Sequence, residues 1–308
     1  MKRLIIDTDP GVDDAHAILL ALAHPDVRVE AITTVNGNVG LDLTTANALK
    51  ILDAAGKDVP VYRGCDRPLI SRSISAAHVH GEDGLGDCGI PASKRTVQSE
   101  HAVHALIRLA NENPGELVLA AIGPLTNLAA ALILDPDLPM KFKRLVVMGG
   151  AIYSKGNTST VTAEFNIHGD PEAASMVFDS WPMITLLSWE TTLDHVFTRD
   201  VLDRFFGLGT PRSKFFRDTN QKIMTFIHER LGQDILFAPD GLALAAAVEP
   251  EIVTKSETRH VSIELHGSQT RGQTVVDWYG NTGKAPNTEI ILEINQDRFI
   301  QLMENGLR

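Results

Sequence analysis

IIDTDPGVDDAHA (residues 5–17) decides how the rest of the chain is read. The run RLIID (3–7) has the aliphatic content of a buried strand. It ends in Asp7-Thr8-Asp9, and Pro10-Gly11 then forces a tight turn. DDAHAILLALA (13–23) follows as a helix, with acidic residues in the first turn, where the helix dipole favours them. Strand, turn and helix open a βαβ unit. The four aspartates, Asp7, Asp9, Asp13 and Asp14, fall within eight residues and should repel one another.

The same alternation continues downstream. VRVEAITTV (27–35) reads as a strand and LTTANALKILDAAG (43–56) as a helix closed by Gly56. Residues 62–98 are rich in Gly, His and polar groups and read as an irregular functional loop. HAVHALIRLANEN (101–113), ELVLAAI (116–122), LTNLAAALIL (125–134), RLVVMGG (144–150) and MITLLSW (183–189) read as helix, strand, helix, strand and strand. Up to about residue 248 the chain is more helical. Strand-like runs HVSIEL (260–265), QTVVDWY (273–279) and EIILEI (289–294) follow, with a final helix near 296–306. This order predicts an α/β fold: one domain over 1–308, with a mostly parallel central sheet, open and Rossmann-like, flanked by helices. No repeat or Pro/Ser-rich linker divides it.

Composition narrows the function. Hydrophobic residues make up 44% and charged residues 22%, an ordinary globular balance. A net charge of −11 argues against nucleic acid and anionic membrane surfaces as partners. No apolar run approaches the roughly 20 residues of a membrane span. MKRLIIDTDPG lacks the apolar core of a signal peptide. Cys65 and Cys88 have no metal-type spacing and read as reduced thiols of a cytoplasmic protein.

In open parallel sheets, ligands sit outside the carboxyl ends of the strands. Asp7 and Asp9, Asn36 and Asn38, Gly123 with Thr126 and Asn127, and Met148 to Gly150 all follow strands. They should converge on one pocket. Asp13 and Asp14 are about 100° apart around a helix axis, so one can bind an ion while the other binds something beside it. A divalent cation resolves the repulsion, and all-oxygen ligands favour a hard ion, Ca²⁺ or Mg²⁺. A helix cap would need one of these aspartates, not four, and no Lys or Arg lies nearby after Arg3 for surface ion pairs.

At this point the sequence resembles the inosine–uridine type nucleoside N-ribohydrolases over nearly its whole length. DTDPGVDD is the hallmark. ITTVNGN (32–38), HVHGEDGLG (78–86), IGPLTNLA (122–129), VVMGG (146–150), AEFNIHGDPEAA (163–174) and PDGLALA (239–245) follow in order. The resemblance implies Ca²⁺-dependent hydrolysis of ribonucleosides to ribose and free base. It implies Asp9 as metal-ligating general base, Asp14 as bidentate Ca²⁺ ligand, and further ligands from the Thr126 carbonyl and Asp240. Asp13, Asn157, Glu164 and Asn166 would grip the ribose hydroxyls, and Asn38 and Met148 would line that site. His80 would lie near the base, with Asp7 orienting from behind. A homodimer or homotetramer in nucleoside salvage is also implied. The chemistry agrees: N-glycosidic cleavage passes through an oxocarbenium-like state that clustered anions stabilise.

One position departs from the pattern. In the best-known branch a histidine immediately precedes the late metal-binding aspartate. Here Pro239 does, and proline cannot donate a proton to a departing base. His78, His80 and His228 are candidates for that role, and Trp189 for stacking on the base. His16, His101, His104, His195, His260 and His266 read as structural or surface residues, and Asp277 and Trp278 as structural. Three other readings compete. A binding relative without turnover and a hydrolase of a non-standard ribosyl substrate are motivated by Pro239. A Mg²⁺ phosphatase is motivated by Asp-x-Asp after a strand.

Overall fold

Leu4, Ile5 and Ile6 have almost no exposed surface, so the first strand is covered on both faces. Side chains alternate across a strand. Leu4 and Ile6 accordingly join one apolar core and Ile5 another. A computed structural model describing residues 1–308 shows how the chain builds these two layers.

The first half runs β1 (Lys2–Thr8), α1 (Val12–Ala23), β2 (Val27–Thr34), α2 (Leu41–Ala55), β3 (Val61–Arg63), α3 (Ala77–His80), α4 (Ala102–Glu112), β4 (Leu117–Ala121), α5 (Thr126–Leu134) and β5 (Arg144–Met148). It continues through α6 (Phe165–Gly169), α7 (Pro171–Ser180), β6 (Ile184–Leu187), α8 (Trp189–Asp194), α9 (Arg199–Phe206), α10 (Pro211–Leu231) and α11 (Pro239–Val248). The chain closes with β7 (Val253–Ile263), β8 (Thr274–Asp277), β9 (Thr288–Ile294) and α12 (Gln296–Leu307). Helices α1, α2 and α9–α12 contribute to the core that holds Leu4 and Ile6. Helices α4, α5 and α7 contribute to the other.

The nine strands form one sheet in the order β3-β2-β1-β4-β5-β6-β9-β7-β8. Pairing is parallel from β3 through β9, and antiparallel at β9–β7 and β7–β8. The predicted mostly parallel, helix-flanked sheet is therefore present. β1 pairs with β2 on one side and with β4 on the other, so the strand order reverses there. A switch point of this kind opens a crevice at the carboxyl ends of its strands. Asp7 lies in register with Thr33 and Ala121 at that edge.

Boundaries differ from expectation in three places. β7 begins at Val253, well before 260, because its first half is polar and largely exposed and offers no apolar run. The expected strand at 183–189 stops at Leu187, and Trp189 opens α8 under the cap of Ser188. The region 62–98 holds the end of β3 and the single turn α3 within otherwise irregular chain. No helix is long and apolar enough to cross a membrane.

Candidate active site

Pro10 and Gly11 return the chain over the end of β1, and the carboxylates that follow are held by different groups. Asp14 reaches back to the start of its own helix. Its Oδ2 accepts from the Gly11 N–H at 2.8 Å and from Asn38 Nδ2 at 3.1 Å, and its Oδ1 accepts from the Thr8 hydroxyl. One aspartate therefore does cap the helix, and the others remain for chemistry. Asp9 is fully buried, and its Oδ2 accepts from the Asn38 N–H at 2.7 Å. Its Oδ1 has no partner, nor does Asp13 Oδ1. Behind them Asp7 accepts from Thr33 Oγ1 at 2.5 Å and from Asn127 Nδ2 at 2.8 Å, which suits an orienting role.

Asp240, in the first turn of α11, completes the cluster. Asp13, Asp14 and Asp240 each offer one carboxylate oxygen within 4.8 Å of the other two. Asp13 thus stands with the cation-ready oxygens and also borders the adjoining cavity, while Asp9 adjoins the group. Burial is the largest cause that raises these acids. It holds Asp9 and Asp240 well above the usual carboxylate range and pushes Asp13 and Asp14 to about 6. Repulsion from neighbouring carboxylates adds to this at Asp9, Asp14 and Asp240. Converging hard oxygens, two of the nearby ones unpaired, fit a hard divalent cation.

Two glycines leave room for the Asp9 carboxylate. A Cβ at Gly37 would lie 2.0 Å from Asp9 Oδ2, and one at Gly123 would lie 2.5 Å from Oδ1. Gly123→Ala is expected to displace Asp9, cost about 1–3 kcal/mol of stability as other overpacked sites do, and slow turnover. Thermal melts and initial rates measure both effects, and an unchanged rate would show that this clamp does not set the place of Asp9.

A cavity of about 330 Å³ opens above the cluster. Asp13, Asn38, His80, Met148, Asn157, Glu164, Asn166, Trp189 and Asp240 all border it, whereas Asp9, Asp14 and Thr126 lie outside its lining. AEFN (163–166) forms the start of α6. Glu164 caps α6: it accepts from the N–H groups of Gly150, Asn166 and Ile167 at 2.9, 2.9 and 3.2 Å. Burial still pushes it up to about 7. Asn166 Nδ2 donates to the carbonyls of Ile122 and Met148, both at 3.2 Å, which ties it to the ends of β4 and β5. Thr126 opens α5, and its hydroxyl donates to Asp170 at 2.7 Å.

His80 Nδ1 accepts from the Val12 N–H at 3.2 Å and stands 3.6 Å from Asp13 Oδ1. Burial pushes its pKa down to about 4, against the pull of the Asp14 carboxylate. The ring is therefore neutral at pH 7 and carries its proton on Nε2. The other end of the cavity is apolar. Trp189 and Phe237 meet there with ring centroids 5.6 Å apart, and Pro239 also borders the space.

Ile223, Phe226, Ile227 and Arg230 complete that wall from α10. The sequence does not announce them, because spacing of i, i+3, i+4 and i+7 reads as a core-facing stripe. His78 borders the cavity edge-on to Phe226. His228 lies on the surface, paired with Asp234 at 2.8 Å and away from the cavity. His16, His101 and His195 are tied to Asn220, the Val103 N–H and the backbone around Thr191 and Ile294.

A helix-covered parallel sheet with carboxylates and amides gathered at its switch point defines an α/β enzyme suited to a polar, hydroxyl-bearing ligand. Similarity to known proteins makes that class specific. The family described as "Inosine-uridine preferring nucleoside hydrolase" matches residues 4–301. The chain is 36% identical over 309 residues to the inosine-uridine preferring nucleoside hydrolase of Crithidia fasciculata, covering 99% of this chain and 97% of that one. It is 34% identical over 307 residues to the pyrimidine-specific ribonucleoside hydrolase RihB of Escherichia coli (strain K12), covering 100% and 97%. The solved structure of an inosine-guanosine nucleoside hydrolase superposes with a TM-score of 0.92 at 35% identity, covering 99% and 98%. The chain belongs to the inosine-uridine preferring nucleoside hydrolase family. It is a nucleoside N-ribohydrolase, a glycosidase acting on N-glycosyl bonds. The bases named for these relatives differ, so membership alone does not select one.

Proposed function

We propose that the protein is a Ca²⁺-dependent hydrolase of ribonucleosides, with the ribose seated over the aspartate cluster and the base in the apolar end of the cavity. The observation that carries this is the convergence of Asp13, Asp14 and Asp240 within 4.8 Å, beside the unpaired Oδ1 of Asp9. Asp9, Asp14, Asp240 and the Thr126 carbonyl would hold the ion, with Asp13 shared between ion and sugar. Ca²⁺ bound there would supply positive charge that orients a water and lowers its pKa modestly.

The chain's own groups do the rest. Asp9 takes the proton of the attacking water: its Oδ1 is unpaired, and burial with the neighbouring Asp14 carboxylate makes it a stronger base than an ordinary aspartate. Asp13, Glu164 and Asn166 meet the ribose hydroxyls, and the carboxylates among them stabilise the positive charge that develops on the sugar. Asn38, Met148 and Asn157 close the sides. His80 offers its Nε2–H to the bound nucleoside, and Trp189 presents an aromatic face to the base. The apolar walls exclude water from the departing side.

Base release from a panel of purine and pyrimidine ribonucleosides tests this reading. Hydrolysis of at least one, with ribose as the other product, is expected. Tight binding without turnover over hours would instead support a binding relative. Asn166→Ala is expected to lower kcat/KM about 30-fold, the effect of losing about 2 kcal/mol of hydrogen bonding to a charged transition state. Steady-state rates on the best substrate measure it.

A further inference from the structure

The apolar end of the cavity contains one charge that the reaction as described does not use. Arg230 lies in the last turn of α10 and borders the cavity with Ile223, Phe226 and Ile227 on one helical face. Its guanidinium carbon sits 5.9 Å from the centroid of the Phe226 ring, and that ring meets His78 edge-on at 5.9 Å. No carboxylate of the chain lies within 4.0 Å of it. The acidic lining, Asp13, Asp240 and Glu164, belongs to the ribose end. Arg230 is exposed at the cavity wall, and an arginine on an aromatic shelf, free of carboxylate partners, has its donors available for a ligand.

The chemistry at that end calls for such a group. When the C1′–N bond breaks, both electrons leave with the nitrogen, and the base departs as an anion unless it is protonated. Residue 239 is proline and has no proton to give. His80 Nδ1 already accepts from Val12 and lies beside Asp13, so its Nε2–H meets the nucleoside from the Asp13 side of the cavity, whereas Arg230 borders it from α10.

Resting on the ribosyl hydrolase reading above, we propose that Arg230 is the leaving-group residue: its guanidinium hydrogen-bonds the base edge and holds the negative charge as the glycosidic bond breaks. The water oxygen bonds to C1′ and its proton passes to Asp9. The base takes a proton from solvent after leaving, Asp9 returns one to solvent, and Arg230 keeps its own throughout. The guanidinium fork pairs best with two adjacent acceptors. A 6-oxopurine presents O6 and N7, whereas adenine presents an amino donor beside N7. Arg230 therefore also selects 6-oxopurine ribonucleosides over adenosine.

The test compares the parent enzyme, Arg230→Ala and Arg230→Lys on inosine, adenosine and p-nitrophenyl β-D-ribofuranoside, whose phenolate leaves without help. Arg230→Ala is expected to lower kcat/KM on inosine about 100-fold and on adenosine about 10-fold, the range found for lost electrostatic stabilisation. The nitrophenyl riboside should change less than about 2-fold. Arg230→Lys should recover part of the inosine rate, since it keeps charge but loses the fork. An equal loss on all three substrates would assign Arg230 to folding or ribose binding and overturn the proposal, as would an unchanged inosine rate. A parent enzyme that cleaves none of the three substrates refutes the ribosyl reading itself, and this proposal with it. Cleavage of inosine and the nitrophenyl riboside by the parent, with an unaffected Arg230→Ala, refutes this proposal alone.

Discussion

Asp9→Ala is expected to fold as the parent does and to release base about 10⁴-fold more slowly. The fold should survive because the change removes a charge from a crowded interior. Burial and the Asp14 carboxylate already hold Asp9 well above its ordinary range, so its ionised form costs the native state stability. Against this, the Asn38 N–H loses its acceptor at 2.7 Å, and an unpaired buried donor costs about 1–3 kcal/mol. Asp9→Asn separates the two effects. Its side-chain carbonyl can still accept from Asn38, while the amide cannot take a proton from water. Both variants should be inactive, with Asp9→Asn the more stable. Circular dichroism, thermal melts and base release, together with calorimetric Ca²⁺ titration, distinguish loss of the base from loss of the ion. Full activity in either variant would remove Asp9 from the proton-transfer role.

The aspartate cluster was legible in the sequence because its chemistry is local. Pro10-Gly11 fixes the turn, and acids in a first helical turn after a strand must point near the strand end. β1 was legible as a buried strand of a mostly parallel sheet, but the reversal of strand order beside it follows from its pairing with both β2 and β4, the latter distant in sequence. The two glycines that admit Asp9 come from the ends of other strands, and only tertiary structure shows what they touch. The wall of α10 was not legible. Ile223, Phe226 and Ile227 carry the spacing of a core helix, and a helix facing a ligand cavity has the same pattern as one facing a sheet. The polar first half of β7 was missed because edge pairing, not burial, makes it a strand. The division of labour among Asp9, Asp13 and Asp14 was only partly legible. Sequence spacing separates Asp13 from Asp14 around the helix, but Asp240 arrives from a distant turn and brings both within its reach.

Chelation is expected to abolish base release and to lower the melting temperature, by more at pH 8 than at pH 5.5. Burial pushes Asp13 and Asp14 to about 6 and Asp7 and Glu164 to about 7, and repulsion adds to burial at Asp14. In the unfolded chain these acids titrate near 4. Their folded values are raised, so the stability they contribute is complete only below the unfolded value. It is lost as pH rises through about 6 to 7. The chelated protein should therefore melt lowest at alkaline pH and regain stability on acidification. A bound cation offsets the same charges, and at 100-fold excess over its Kd contributes about 2.7 kcal/mol. Protons compete with the cation for these oxygens, so that contribution shrinks as the acids protonate. The gap between loaded and chelated melting curves should then close from pH 8 toward pH 5.5, and Ca²⁺ should restore both stability and turnover. A chelated enzyme that keeps its full rate and melts with the loaded one at every pH would mean that the buried carboxylates stand together without an ion. Their repulsion would then have to be relieved by shared protons instead.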